Sequence, residues 1–126
     1  MIVADTSYLV EAILRDASLL ENDETIITPD LTVYETINTL WKHEVLIGDL
    51  KDSSPYLELL LELISTEAVQ LVRPDEKLLK NSYMLSAKHK TPIYDAVLVA
   101  LALELGLKLK TFDRRQTNIL SKEKGE

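Results

Sequence analysis

The sequence predicts an α/β domain in which a mostly parallel central sheet is flanked by helices. Three observations point to it. Short apolar runs of strand length alternate with longer segments whose apolar residues recur at helical spacing. The first of those runs is apolar at consecutive positions, as a strand buried on both faces requires. Hydrophobic residues make up 46% of the chain while glycine and proline are scarce, so enough apolar surface is available to form a core.

The elements follow in order. Ile2-Val3-Ala4 reads as the first strand, and Ser7 to about Arg15 as a helix with Leu9, Val10, Ile13 and Leu14 on its apolar side. Asp16 to Asn22 reads as a short helical turn. Thr25 to Thr28 is a second strand closed by Pro29. A long helix is predicted from about Leu31 to Ile47, with Val33, Ile37, Leu40 and Trp41 at helical spacing and Gly48 ending it. Pro55 opens a helix to about Ser65, and Val69 to Val72 forms a third strand stopped by Arg73-Pro74. Asp75 caps a helix through about Lys88. Tyr94 to Leu105 is a helix ended by Gly106. Leu107 to Thr111 is the last strand, and its lysines on one face mark it as an edge. Arg114 to about Leu120 is a terminal helix, followed by a charged tail, Lys122 to Glu126, expected to fray. No repeat, linker or low-complexity stretch divides residues 1–126, so one domain is expected.

Composition excludes several chemistries. With no cysteine there is no disulfide, thiolate-zinc site or cysteine nucleophile, and the two histidines, His43 and His89, are too few for a histidine-rich metal centre. His89, between two lysines, is expected to face solvent. The apolar run from Ala96 to Leu103 is too short to span a bilayer, and no targeting segment is visible, so a soluble, cytoplasmic protein is expected. Net charge is −7, from 21 acidic and 14 basic residues, which argues against a passive nucleic-acid binder. A nuclease is still allowed, because bound divalent ions reverse the local sign of an acidic site.

Asp5, Glu35, Asp95 and Asp113 each fall where a strand hands over to a helix or where a buried helix begins. In a parallel sheet such handovers gather along one edge, where open α/β folds place their sites. Each acid also has a plain structural reading. Asp5 could cap the first helix, Thr32 with Glu35 has capping-box spacing, Asp95 suits a helix N-terminus, and Asp113 with Gln116 could form a capping pair. Asp30 and Asp75 read as caps alone. Jointly the four acids are harder to dismiss, since two carboxylates about 4 Å apart repel by roughly 4 kcal/mol at an effective dielectric near 20. A cation offsets that repulsion, and Mg²⁺ or Mn²⁺ suits an all-oxygen shell. Thr6 and Ser7 after Asp5, Asn38 one turn beyond Glu35, and Thr111 before Asp113 are candidate supporting groups.

In this order the residues resemble a PIN domain, the metal-dependent ribonuclease fold. Ile-Val-Ala-Asp-Thr-Ser-Tyr-Leu-Val (2–10) is similar to its first strand and acid, and Tyr34-Glu35-Thr36-Ile37-Asn38 to its helical glutamate segment. Thr91-Pro92-Ile93-Tyr94-Asp95-Ala96, with Ala100-Leu101-Ala102 and Leu105-Gly106, resembles its third acidic motif. Lys110-Thr111-Phe112-Asp113-Arg114 resembles the Thr-x-Asp signature closing its last strand. The resemblance covers nearly the whole chain. Within the family, a chain of this length most resembles the toxin of a VapBC-type toxin–antitoxin pair, although the segment from Ala17 to Thr25 is short for that group.

The resemblance implies that Asp5, Glu35, Asp95 and Asp113 bind one or two Mg²⁺ or Mn²⁺ ions and that the site hydrolyses RNA. It also implies a VapB-type antitoxin as partner. Arg114, Arg115, Lys88 and Lys90 are candidate phosphate contacts, each set against an ordinary solvated role. The helix after Pro55 carries Leu57, Leu60, Leu61 and Ile64 on one side, widened by Leu59 and Leu63. Part of that stripe, with Trp41, could meet a second copy in a homodimer or an antitoxin segment; a buried core helix is the plain alternative. Two other functions compete: a metal-dependent phosphatase, and a catalytically silent interaction module that keeps the fold. A haloacid-dehalogenase-type phosphatase needs an Asp two residues after its first, and Asp5 is followed by Thr6 and Ser7.

Overall fold

A computed structural model describes residues 1–20 and 24–125. β1 (Ile2–Ala4) is buried at every position, and its pleat sends side chains alternately to the two faces of the sheet. Val3 enters one core with Ile27 and Leu109, while Ile2 and Ala4 enter a second core with Ile26 and Val69. β2 (Ile26–Pro29), β3 (Val69–Val72) and β4 (Lys108–Lys110) complete a four-stranded sheet of order β3-β2-β1-β4. Every pairing is parallel, with Ile2 opposite Ile26 and Lys108, and Ile26 opposite Val69.

Helices cover both faces. α1 (Thr6–Leu14), the 3₁₀ turn Ala17–Leu20 and α3 (Ser54–Ser65) lie over the core of Ile2 and Ala4, where Tyr8 and Leu9 are buried and Leu19, Leu20, Leu63 and Ile64 pack against them. α4 (Glu76–His89), α5 (Ile93–Leu105) and α6 (Arg114–Glu123) lie over the core of Val3, contributing Leu78, Leu85, the run Ala96–Ala102 and Ile119. α5 is buried on all sides from Ala96 to Ala102, as a helix apolar all round must be. α2 (Leu31–Trp41) follows β2 and packs against α1 and α3.

Several boundaries differ from expectation. The long helix from Leu31 to Ile47 changes to a π-helical turn over Lys42–Ile47 before Gly48 ends it at φ 79°. There the backbone N–H of Gly48 donates to the His43 carbonyl, and Asp49 pairs with the His43 ring. Of the turn expected over Asp16–Asn22, Ala17–Leu20 is 3₁₀-helical, and Glu21 and Asn22 lie outside the described residues. Pro29 belongs to β2, and Thr111 falls just beyond β4.

The edge assignment holds: exposed Lys108 and Lys110 flank buried Leu109 on the outermost strand. The tail forms a further part of α6 as far as Glu123, because Glu123 bonds Lys88 and His89 at the end of α4. His89 is accordingly not solvent-facing, with only 10% of its side chain exposed. Asp75 caps α4 through the Leu78 N–H, but Asp30 makes no side-chain cap bond.

Candidate metal centre

Parallel strands bring their C-terminal ends to one edge, so Asp5 after β1 and Thr111 after β4 become neighbours. Asp5 is 4% exposed and accepts four hydrogen bonds. Its Oδ1 accepts from the Ser7 hydroxyl (2.7 Å) and the Tyr8 backbone N–H (3.0 Å). Its Oδ2 accepts from the Thr111 hydroxyl (2.6 Å) and from Nε2 of Gln116 (3.1 Å). Asp5 thus caps α1 and also faces the site: one carboxylate oxygen serves the helix and the other serves the cluster.

The remaining acids arrive from three helices. Glu35 sits one turn into α2 and accepts from the Thr6 hydroxyl at 3.3 Å. Capping-box spacing with Thr32 does not describe it, since Thr32 lies inside the helix, fully buried. Asp95, in the first turn of α5, accepts from Gln116 Nε2 at 3.2 Å and lies 3.6 Å from the Arg115 guanidinium. Asp113 caps α6 through the Arg115 N–H, and the Arg115 side chain closes back on it at 3.0 Å. The expected capping partner, Gln116, is instead turned inward.

All four acids line one cleft of about 620 Å³, together with Thr6, Ser7 and Gln116. Asn38 is exposed and does not line it; Thr39, one residue on, does, with its hydroxyl donating to the Glu35 carbonyl. Thr111 acts from behind, bonding Asp5 and accepting the Asp113 N–H at 2.9 Å. Arg115 is the basic candidate that reaches the acids. Arg114 and Lys90 are exposed and do not line the cleft, while Lys88 pairs with Glu123. Tyr94 and Phe112, about 60% exposed, stand at the cleft, and Phe112 stacks on Tyr8 with ring centroids 6.1 Å apart.

Two of the acids are displaced in opposite directions. Burial pushes the Glu35 carboxyl above its ordinary range, the Thr6 hydrogen bond opposes that, and Asp95 and Asp5 add to the rise. Asp113 goes the other way, held low chiefly by its hydrogen bond from Arg115. The donor set is all carboxylate oxygen, which fits Mg²⁺ or Mn²⁺ with waters completing the shell. Among the described residues, no three carboxylate or imidazole groups already converge as a finished cage. Gln116 bridges Asp5 and Asp95, and Arg115 bridges Asp95 and Asp113.

Gln116 is the site residue that sequence spacing alone assigned to a lesser role. A signal for it exists: it shares the inward face of α6 with Ile119, three residues on, and is only 3% exposed. A polar side chain on an apolar stripe is informative because burying it requires partners.

Comparisons with known proteins agree with this architecture. The sequence pattern of the PIN domain family matches residues 2–120. Ribonuclease VapC3 of Pyrobaculum aerophilum is 40% identical over 90 residues, which cover 70% of this chain and 66% of that protein. The chain thus spans just under two thirds of that relative's length. The crystal structure of PAE2754 from Pyrobaculum aerophilum has the same fold, with a TM-score of 0.75 over 94% of this chain and 83% of that one, at 23% identity. A family pattern matched from the first strand into the last helix, on a fold that a solved structure shares, shows that this chain belongs to the PIN domain family.

Proposed function

We propose that the protein is a Mg²⁺- or Mn²⁺-dependent endoribonuclease, the cytoplasmic toxin of a type II toxin–antitoxin pair. The observation that carries this reading is the gathering of Asp5, Glu35, Asp95 and Asp113 around one cleft. The 40% identity to a protein named a ribonuclease supports it. Asp5, Glu35, Asp95 and Asp113 would hold the cation, which when bound acidifies water and steadies charge on the phosphate.

The chain's own groups set the geometry. Ser7, Thr111 and the Tyr8 N–H fix the Asp5 carboxylate. Arg115 is two-thirds exposed, so its guanidinium can leave Asp113 and Asp95 for an incoming phosphodiester, which presents the same bidentate acceptor geometry. Tyr94 and Phe112 offer exposed ring faces on which unpaired bases can stack, which favours single-stranded RNA.

Purified protein is expected to cleave single-stranded RNA with Mn²⁺ or Mg²⁺, and to stop on addition of EDTA or on Asp95→Asn. Parent-level cleavage by Asp95→Asn would overturn the reading, and turnover of a phosphomonoester in place of RNA would move it to the phosphatases.

The partner surface in this reading is made of exposed apolar side chains. Trp41 and the π-helical Val45, Leu46 and Ile47 are about half exposed or more, as is Leu61 on α3. In α3 Leu60 is buried and Leu63 and Ile64 pack into the core, which leaves Leu61 as the exposed member of its leucine stripe for a second copy or a VapB-type antitoxin. No helix among the described residues is long and apolar enough to cross a membrane. Light scattering is expected to give a dimer mass for the parent and a monomer mass for Leu61→Glu.

A further inference from the structure

We infer that Gln116 is a positioning residue: its amide sets the spacing of Asp5 and Asp95 and so controls how tightly the site takes its cation. The inference rests on the reading of the four acids as a metal site. Nε2 of Gln116 donates to Asp5 at 3.1 Å and to Asp95 at 3.2 Å, so one neutral group ties the end of β1 to the start of α5. The side chain is 3% exposed, and its Oε1 is buried with no hydrogen-bond partner among the described residues.

Those facts argue against a packing role. An unpartnered buried acceptor is unfavourable, and a leucine or methionine would fill the same place beside Ile119 without that cost. Reversing the amide would turn Oε1 onto two carboxylates, so the acids themselves fix which end faces them. Neutrality is the second point. Arg115 also bridges two of the acids, but it brings a positive charge that a cation must displace, and at 67% side-chain exposure it can withdraw. The buried amide of Gln116 cannot withdraw in that way. It aligns Asp5 and Asp95 while leaving their full negative charge available to the metal. Groups that orient metal-binding side chains typically change metal affinity about 10- to 100-fold when removed.

The test is Mn²⁺ binding to the full chain, read from the electron paramagnetic resonance signal of free Mn²⁺, alongside RNA cleavage. Gln116→Met conserves volume and helix propensity but has no donor. Gln116→Asn keeps the amide but is one methylene too short to span both acids. Both variants are expected to bind Mn²⁺ at least about tenfold more weakly than the parent, with circular dichroism unchanged for the Met variant. Parent-like Mn²⁺ affinity in either folded variant overturns the inference. A parent chain that binds no Mn²⁺ instead overturns the metal-site reading beneath it.

Discussion

The Thr111 hydroxyl makes two bonds, donating to Asp5 and accepting the Asp113 N–H, and so joins the first of the four clustered acids to the last. Thr111→Val keeps the shape and removes both. Valine is expected to lower stability by about 1–3 kcal/mol, because a buried carboxylate loses a donor and an N–H loses its acceptor. Urea denaturation at neutral pH measures this. The same substitution is expected to weaken Mn²⁺ binding about 10- to 100-fold. At this scale the gathering of the four acids in one cleft was legible in the sequence, because Asp5 and Asp113 follow strands, Asp95 opens a helix and Glu35 lies one turn into another. Gln116 and Thr39 were not, and Arg115 only as a phosphate contact, because which way a side chain on a helix points is decided by the elements packed against it. Asn38 shows the converse: it lies one turn from Glu35, yet it faces solvent and Thr39 lines the cleft.

Elements test whether capping is local chemistry or context. Asp30 and Asp75 look alike in sequence, each an acid just before a helix. Only Asp75 has an extended backbone and a side chain that accepts the Leu78 N–H, at 2.8 Å. Asp30 already has helical dihedrals and caps nothing. Asp75→Ala is therefore expected to cost about 1 kcal/mol, and Asp30→Ala much less, by thermal or urea unfolding. Strands and helices were legible in order because hydrophobic period and Gly or Pro stops are local signals. The π-helical turn and the last residues of α6 were not. The end of α6 depends on a contact at a distance along the chain, Glu123 with Lys88 and His89, and the π-helical turn on the bonds that Gly48 and Asp49 make back to His43.

Across the whole molecule, that contact ties the end of α6 to the end of α4. The Glu123 carboxyl is held below the ordinary glutamate range, first by its hydrogen bond from Lys88 and then by His89. A carboxylate with a depressed folded value stabilises the fold above its ordinary range, about pH 4.3, and loses that contribution as pH falls through the depressed value. Melting temperatures of the parent should therefore drop over that acid window, and Glu123→Gln should flatten the drop while lowering the melting temperature slightly at pH 7. Equal acid slopes for the two chains would remove Glu123 from the account.

The sheet order has one further consequence, for how the protein is made. β1 lies between β2, its near neighbour in sequence, and β4, its most distant. Thr111, Asp113 and Gln116 leave the ribosome more than a hundred residues after Asp5. A nascent chain can pair β1 with β2 and lay α1 across them early, yet the acid cluster lacks one wall until β4 and α6 emerge. On the proposed function, a chain still being synthesised would therefore be harmless to the RNA it is read from, its site completed only with the last helix of the fold.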